Sequence, residues 1–404
     1  MRLLFLPAWF PSARSPMAGR FALDQARALQ RHVPGLRLAV ASWGHHEGAL
    51  SLRSASESLA ALRWRLAQPR TVQWTRQEGL DVLRSPALSW TLRWRGGGIA
   101  GQLAACRRML AALQARWGGI DAIHAHVSFP AGLIARELAR EAGVPYVLTE
   151  HMSPFPFPAL CGADGRPLPL LAPVFADAAQ VMAVSPALAA QIRAQGLRCD
   201  RVLPNVVDED RFPALPPPAD APWRWLAVAA LKPQKGIDLL LRAWAQWNPP
   251  AAQARLQIAG DGPERAALQA LAASLGLAGR VEWLGALHPE AVPAALQQAH
   301  ALVLPSRHET FGVVLAEALM AGRPVLATRC GGPEAVVGPG DGLLVPPEDV
   351  PALAAGLQQL SSTLGGQDAA ALRARALARF GSAAVAAQLL QVYRALGLPL
   401  EAGA

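Results

Sequence analysis

The sequence predicts an α/β fold of two Rossmann-like, doubly wound domains that face each other across a cleft, and three observations support this. The chain has 404 residues, which is too long for one ordinary hydrophobic core. Along most of its length, short apolar runs alternate with segments of helical periodicity, a pattern typical of parallel sheets covered by helices. Five prolines between residues 213 and 222 interrupt the alternation and indicate an extended linker.

The alternation in the first half of the chain predicts the N-terminal domain. Its last helix has well-defined ends, because Ser185 is a good N-cap, Pro186 suits the first helical position and Gly196 favours a stop. In chain order the predicted elements are strand 3–6, helix 21–31, strand 36–41, helix 100–116, strand 121–126, helix 131–142, strand 146–149, strand 181–184 and helix 186–195.

A second run of alternating elements follows the proline-rich stretch. We therefore expect an N-terminal domain at 1–210 with residues 382–404 packing back on it, a linker at 211–222 and a C-terminal domain at 223–381. Ligands of open α/β sheets bind at the carboxyl ends of the strands, so the cleft is the expected site. The predicted elements are strand 225–230, helix 237–247, strand 255–259, helix 263–275, strand 281–284, helix 291–298, strand 301–304, helix 313–320, strand 324–327 and a closing helix 382–396.

The composition is that of a globular protein. A hydrophobic content of 52% with 17% charged residues excludes a disordered chain, and no apolar run is long enough to span a bilayer. The apolar start is cut by Pro7 and Pro11 and no small-residue cleavage site follows, so we expect a first strand and a cytoplasmic protein. The four cysteines lack metal-ligand spacing and indicate free thiols in a reducing compartment.

Positive charge is concentrated near the N-terminus. The first hundred residues carry 14 Arg against five Asp or Glu, an excess equal to the net charge of +9 of the whole chain. Arginine mixed with tryptophan suits the headgroup layer of an anionic membrane, but a solvated basic face over a helical layer explains the same pattern. Nucleic acid is the weakest interpretation, because no recognition motif accompanies the charge. The tryptophans concerned are Trp64, Trp74, Trp90, Trp94 and Trp117.

Residues 305–312 carry the most chemical information, because they leave a predicted strand and enter the helix 313–320. The free amides of that helix start suit a bound diphosphate. Glu309 in the loop and Glu317 in the helix can bracket one extended ligand, although an ordinary loop glutamate and a solvated helix glutamate are the alternative. The chain's only lysines are Lys232 and Lys235, and a compact ammonium there suits a phosphate.

Residues 305–336 resemble the donor-site signature of the family 4 retaining glycosyltransferases of GT-B fold. The residues that carry the resemblance are Glu309, Glu317, Ala318, Gly322, Pro324, Gly331, Gly332 and Glu334. Elsewhere, residues 228–236 are similar to that family's phosphate-binding loop, 258–263 to its next glycine turn, 203–208 to its interdomain segment, and 9–12, 16–19 and 21–29 to bacterial members that build surface polysaccharides.

The resemblance implies a transferase that moves a hexose from a UDP- or GDP-sugar to a polysaccharide or lipid-linked saccharide acceptor, with retention of anomeric configuration. It implies that Lys235 neutralises the diphosphate, that Glu309 holds the donor sugar and that His151 lies near the reacting carbon. No cofactor or metal is expected, since no Asp-x-Asp motif follows a strand in the right region. The donor-binding residues that the resemblance implies are Gly19, Lys232, Gly260, Thr310, Phe311, Gly312 and Glu317.

Two of these residues also have simpler explanations. Gly19 lets the backbone approach the donor, yet it equally suits an ordinary turn. His151 also fits a structural histidine at a strand end, the role that we expect for His124 and His126.

The sequence departs from the family pattern at Ala230, where many relatives carry an arginine. A second cation for the diphosphate then has to come from Lys232 or from an arginine elsewhere, such as Arg20.

The expected mechanism follows from charge development on the leaving diphosphate, which fixed amides and Lys235 stabilise. No carboxylate nucleophile is identifiable, which favours a front-face attack in which the departing phosphate oxygen takes the acceptor proton. A nucleotide-sugar epimerase, a phosphorylase and a non-catalytic sugar-binding or scaffolding protein of the same fold are the competing functions.

Overall fold

The structure is a computed structural model that describes residues 1–44, 47–51, 54–90, 95–218 and 222–398. The chain divides into two compact units. Unit 1 contains Met1–Val184, Ala189–Val206 and the segment from Val385 onward, and unit 2 contains Ser185–Leu188 and Val207–Ala384. The segment predicted as a linker belongs to unit 2 as far as residue 218, and residues 219–221 lie outside the described residues.

Unit 1 is built on an eight-stranded sheet with the order β3-β4-β2-β1-β5-β6-β7-β8. The central strand β1 is buried on both faces, as expected of a parallel sheet between two helical layers. The strands are β1 Arg2–Pro7, β2 Arg37–Ser42, β3 Gln73–Gln77, β4 Leu80–Arg84, β5 Ala122–His126, β6 Tyr146–Glu150, β7 Gln180–Ala183 and β8 Arg201–Val202.

One edge of this mainly parallel sheet is antiparallel, because β3 pairs antiparallel with β4. The two strands form a hairpin through Glu78 and Gly79, whose φ angles are +46° and +86°. A two-residue hairpin turn with positive φ at both positions matches the right-handed twist of the strands. Because β3 is mostly polar, the hydrophobic pattern did not predict this strand.

In the described residues of the first half of the chain there are six helices. They are α1 Arg20–His32, α2 Ala55–Ala67, α3 Ile99–Trp117, α4 Leu133–Ala142, α5 Ala172–Ala176 and α6 Pro186–Ala194. Helix α4 starts two residues later than expected, because residues 128–132 form a wider turn.

Unit 2 has a six-stranded parallel sheet with the order β11-β10-β9-β12-β13-β14. Its strands are β9 Trp223–Val228, β10 Ala254–Ala259, β11 Val281–Gly285, β12 Ala301–Leu304, β13 Val325–Thr328 and β14 Gly342–Val345. The remaining helices are α7 Ile237–Trp247, α8 Arg265–Ser274, α9 Val292–Gln298, α10 Val313–Met320, α11 Pro333–Val336, α12 Val350–Ser361, α13 Ala369–Phe380 and α14 Ser382–Ala395.

Helix α14 completes the hydrophobic core of unit 1. Val385, Leu389 and Tyr393 lie in one buried cluster with Leu3 and Phe5 of β1. Among the helices of the described residues, none is both long enough and apolar enough to cross a bilayer.

Candidate functional site

Two loops of unit 2 are joined at the carboxyl ends of β9 and β12, which are neighbours in the sheet. The loop after β9 contains a short turn at Pro233–Lys235, and the loop after β12 runs through residues 305–312. The backbone N–H of Arg307 donates to the carbonyl oxygen of Gln234 at 2.8 Å, and the Gln234 side chain donates to the carbonyl of His308 at 3.0 Å. These contacts give the two loops one shared surface.

Arg307 reinforces this junction, a role that the sequence pattern did not predict. Its guanidinium donates to the carbonyl of Pro233 at 2.6 Å and pairs with Asp238 at 2.8 Å and Glu348 at 2.6 Å. The hydrogen bond from Arg307 lowers the pKa of the Asp238 carboxyl, so both groups stay charged. Arg307 therefore ties both loops to the start of α7.

The predicted residues Lys235 and Glu309 contact each other directly. The Lys235 Nζ atom lies 2.5 Å from Oε1 of Glu309, and the hydroxyl of Ser306 donates to the same oxygen at 2.8 Å. Glu309 is only 8% exposed, so it is not the ordinary solvated loop glutamate of the alternative interpretation. The structure brings the expected phosphate-binding and sugar-binding groups of unit 2 to one point.

The backbone of residues 310–312 leads from Glu309 into α10. Gly312 precedes the helix with φ +84°, and no side chain caps the helix start. The side chain of Phe311 is 2% exposed and packs edge-on against Phe380 at 5.6 Å, so only its backbone is available to a ligand. Thr310 and Glu317 are half-buried.

Gly332 packs closely against the backbone of this loop. A Cβ at residue 332 would lie 2.2 Å from the backbone nitrogen of Phe311, and the N–H of Gly332 donates to the carbonyl of Glu309 at 2.8 Å. The close approach holds the backbone beside Glu309 in place.

Gly260 also lies where two backbones meet. Its φ is +148°, and a Cβ there would lie 1.8 Å from the carbonyl oxygen of Ala229. Lys232, in the same group of loops, is exposed. Gly260 thus has a structural requirement of its own, whatever it contacts in a ligand.

In unit 1, Gly19 precedes α1 with φ +67°, and a Cβ there would lie 1.9 Å from the carbonyl oxygen of Trp9. The turn-forming explanation of Gly19 is therefore sufficient for its presence. The neighbouring Arg20 pairs with Glu78 at 2.6 Å and with Asp24 at 3.0 Å. These two carboxylates already compensate the positive charge of Arg20, which the sequence suggested as a second cation for the diphosphate.

His151 lies in a buried cluster of rings in unit 1. It stacks on Phe21 with 3.9 Å between ring centroids, and its Nε2 atom lies 3.2 Å from Nδ1 of His126. Burial lowers the pKa of His151 well below its usual value and lowers that of His126 to about 3. Both imidazoles are neutral at neutral pH.

His124 has the bonding of a structural histidine. Its ring nitrogens contact the hydroxyl of Tyr393 at 2.6 Å and that of Thr149 at 2.8 Å. Both nitrogens are thus satisfied inside the core.

Glu150 holds the turn that carries His151, a role that the sequence pattern did not predict. Its buried carboxylate accepts backbone N–H groups from Ser128 at 2.9 Å, His151 at 2.8 Å and Met152 at 2.9 Å. Desolvation raises the pKa of Glu150, and these hydrogen bonds oppose the rise. The signal in the sequence that could have identified Glu150 is an acidic residue directly after a predicted apolar strand.

Two α/β units, each built on a largely parallel sheet covered by helices, are the architecture of the GT-B class of proteins. Residues 18–211 match the family model Glycosyltransferase Family 4, and residues 209–376 match the model Glycosyl transferases group 1. The chain belongs to the family 4 glycosyltransferases of GT-B fold.

The chain is similar to several curated glycosyltransferases. It is 31% identical to alpha-D-kanosaminyltransferase of Streptomyces kanamyceticus over 43% of this chain and 46% of that protein. It is 29% identical to 2-deoxystreptamine glucosyltransferase of the same organism, over 60% of this chain and 68% of that protein. For D-inositol 3-phosphate glycosyltransferase of Corynebacterium urealyticum the identity is 37%, over 44% of each chain. The match thus spans about half the length of the first and third of these relatives.

Solved structures share the fold over nearly the whole chain. Sucrose-phosphate synthase from Thermosynechococcus elongatus aligns with a TM-score of 0.72 and 22% identity, over 98% of this chain and 99% of that one. Anabaena HepE in complex with UDP aligns with a TM-score of 0.70 and 20% identity, over 98% of this chain and 100% of that one.

Proposed function

We propose that this protein transfers a hexose from a UDP- or GDP-sugar to a polysaccharide or lipid-linked saccharide acceptor, with retention of anomeric configuration. The observation that carries the proposal is the contact between Lys235 and Glu309 at the strand ends of unit 2. The names of the relatives support sugar transfer, and HepE was solved with UDP-glucose. The N-terminal resemblance supports an acceptor of the surface-polysaccharide kind.

Lys235 and Glu309 together complement the two polar parts of the donor, the diphosphate and the sugar. A nucleoside-diphosphate sugar carries hydroxyl donors on the sugar and anionic oxygens on the diphosphate, separated by the bond that breaks. A carboxylate accepts from the hydroxyls, and an ammonium attracts the oxygens. With Lys235 Nζ and Glu309 Oε1 only 2.5 Å apart, both groups can act at the anomeric carbon–oxygen–phosphorus junction.

Lys235 and the backbone amides of residues 310–312 stabilise the leaving diphosphate in this proposal. Negative charge grows on the diphosphate as the bond to the anomeric carbon breaks, and fixed donors contribute most where charge develops. We propose that these protein groups do this work without a metal ion or cofactor. Transfer is then expected to persist in the presence of EDTA.

Front-face attack accounts for retention in this proposal. The acceptor oxygen forms a bond to the anomeric carbon on the side from which the phosphate oxygen leaves, and that phosphate oxygen takes the acceptor proton. Burial keeps His151 neutral, so the role near the reacting carbon that the resemblance implies for it is not that of an imidazolium that donates a proton.

The proposal is tested with Glu309→Gln and Lys235→Ala, with Glu290→Gln as a matched control at an 87% exposed side chain. We expect Glu309→Gln to lower kcat by about a hundredfold or more, the scale of losing one stabilising group, while nucleotide binding is nearly kept. Lys235→Ala should weaken both binding and transfer. Calorimetry with UDP and GDP measures binding, and NMR of the product reports its anomer.

Full turnover by Glu309→Gln would show that the site is misassigned. An inverted product would refute retention. Donor binding by the unaltered protein without transfer or slow donor hydrolysis would favour the non-catalytic sugar-binding alternative.

A further inference from the structure

Helix α2, Ala55–Ala67, lies on the surface of unit 1 and keeps almost none of its side chains inside. Ala61 is the one residue of its 13 that is buried. Ser54 caps the helix by accepting the N–H of Glu57 at 3.2 Å. The helix is thus formed locally, but its packing against unit 1 accounts for only one side of it.

The inner side of α2 is held by Ala61 and Trp64. A Cβ added at Gly44 would lie 2.5 Å from a carbon of the Trp64 ring, and one added at Gly48 would lie 3.0 Å from it. The tryptophan therefore lies against the backbone at these two glycines. Glycine lets the Trp64 ring approach the backbone closely. The Trp64 side chain therefore anchors α2 to unit 1 and does not belong to the outer side of the helix.

The outer side of α2 carries a row of exposed leucines. Leu59 is 48% exposed, Leu62 42% and Leu66 84%. Spacings of three and four residues place them on one face of the helix. They are three of the six large apolar residues that the structure shows exposed, and such a cluster marks an interaction surface more clearly than scattered residues do.

Arginines flank this row. The sequence from 55 to 76 contains four arginines and one glutamate. Arg63 and Arg70 are exposed and Arg65 is half-buried. Within the described part of the chain, none of these three forms an ion pair with a carboxylate. Leucines with uncompensated arginines on both sides give α2 an apolar ridge with a cationic border.

Of the five tryptophans that suggested a membrane from the sequence, the four among the described residues are not exposed. Trp117 is 8% exposed and lies under Arg37, and Trp74 is half-buried with the Arg116 guanidinium 4.3 Å from its ring. Trp64 packs inward, Trp90 is half-buried, and Trp94 lies outside the described residues. Among the residues of this segment that the structure describes, the large apolar groups available to a membrane are the leucines of α2.

We propose that α2 docks on the surface of an anionic lipid bilayer, with Leu59, Leu62 and Leu66 in the acyl boundary and the arginines at the headgroups. An interfacial helix binds through buried apolar area together with attraction to anionic lipids, and α2 supplies both. Nucleic acid would use the arginines but would leave the leucines in water. A protein partner would use the leucines but has no need of so many cations.

The leucines are tested with the triple variant Leu59→Ser, Leu62→Ser and Leu66→Ser in vesicle flotation. The vesicles are phosphatidylcholine with or without phosphatidylglycerol, at low and at high salt. Leu215→Ser, at a 46% exposed leucine of unit 2, is the matched control. We expect the unaltered protein and the control to float with anionic vesicles at low salt, and partitioning to fall roughly tenfold per leucine removed.

The charges are tested with the triple variant Arg63→Gln, Arg65→Gln and Arg70→Gln. We expect about fivefold weaker partitioning per arginine and a smaller dependence on salt. Arg166→Gln, at an 84% exposed side chain, is the matched control for a lost surface charge. Circular dichroism checks that the variants keep their helical content.

Three results would overturn the proposal. The first is no flotation of the unaltered protein at low salt, and the second is full flotation of the leucine variant. The third is an unaltered protein that forms a dimer in light scattering but does not bind vesicles, together with a leucine variant that is monomeric. Because flotation needs neither donor nor acceptor, its outcome does not depend on the proposed sugar transfer.

Discussion

Acid should destabilise unit 1 through the buried histidine cluster, and His126 is the residue to perturb. Its side chain is fully buried, stacks on His124 with 4.4 Å between centroids, and lies 4.9 Å from the Phe5 ring. Desolvation lowers its pKa from 6.5 to about 3. The folded state therefore binds fewer protons than the unfolded state between these two values.

The sign and the magnitude follow from this difference in proton binding. As the pH falls below 6.5, the unfolded chain gains a proton at His126 that the folded chain refuses, so the free energy of unfolding decreases. Each pH unit in this window removes about 1.4 kcal/mol, which gives about 2 kcal/mol at pH 5. Burial lowers the pKa of His124 and His151 as well, so they act in the same direction.

Glu150 acts in the opposite direction. Desolvation raises its folded pKa above 4.5, so its contribution to stability is present below that value and is lost as the pH rises through the raised pKa. Comparing a His126 variant with the unaltered protein at each pH cancels this term, because both contain Glu150.

The assay is differential scanning calorimetry of the unaltered protein and His126→Gln between pH 7 and pH 5. The unaltered protein should lose about 2 kcal/mol more than the variant, a difference of roughly 4–8 °C in the transition of a unit of this size. His288→Gln, at a 63% exposed side chain, is the matched control for the loss of a histidine.

Equal pH slopes for the unaltered protein and His126→Gln would refute the reasoning. If the variant does not fold, NMR of the unaltered protein decides the question. A His126 ring that titrates near pH 6.5 in the folded state would contradict its burial as the cause.

Two further predictions concern stability. Gly260→Ala should cost several kcal/mol, because the new Cβ would lie 1.8 Å from the Ala229 carbonyl, whereas Gly276→Ala, with φ +71° and no atom within 4 Å, should cost only about 1 kcal/mol; equal urea midpoints for the two variants would contradict this. Tyr393→Phe removes the 2.6 Å partner of His124 and should cost about 1–3 kcal/mol, while the nucleotide binding proposed for unit 2 should stay unchanged in calorimetry. A variant as stable as the unaltered protein would show that another group satisfies His124.

Elements with a clear apolar pattern were predictable from the sequence. The helices Ile237–Trp247 and Val313–Met320 and the strand Ala301–Leu304 have the predicted bounds, and the fold class is confirmed. The helix Ile237–Trp247 buries its apolar residues at helical spacing, and the strand Ala301–Leu304 is an apolar run that is buried throughout, so local pattern and final packing agree.

Elements without that agreement were missed. Helix α2 buries only Ala61 and exposes Leu59, Leu62 and Leu66, so the spacing of its apolar residues does not identify a buried face. Strand β3 is polar, because it lies at the edge of the sheet. The region after residue 327, with β14, α12 and α13, lies beyond the last predicted strand.

The sequence by itself determined the alternation of strands and helices, the two-domain organisation of the fold class and the residue types at the loop after β12. Only the tertiary structure decided that Lys235 reaches Glu309 across 74 residues and that Tyr393 reaches His124 across 269. Periodicity reports which residues lie on one face of an element. Burial, ion pairing and the pKa of a histidine depend on what that face meets, and that is settled only when segments distant in the chain pack together.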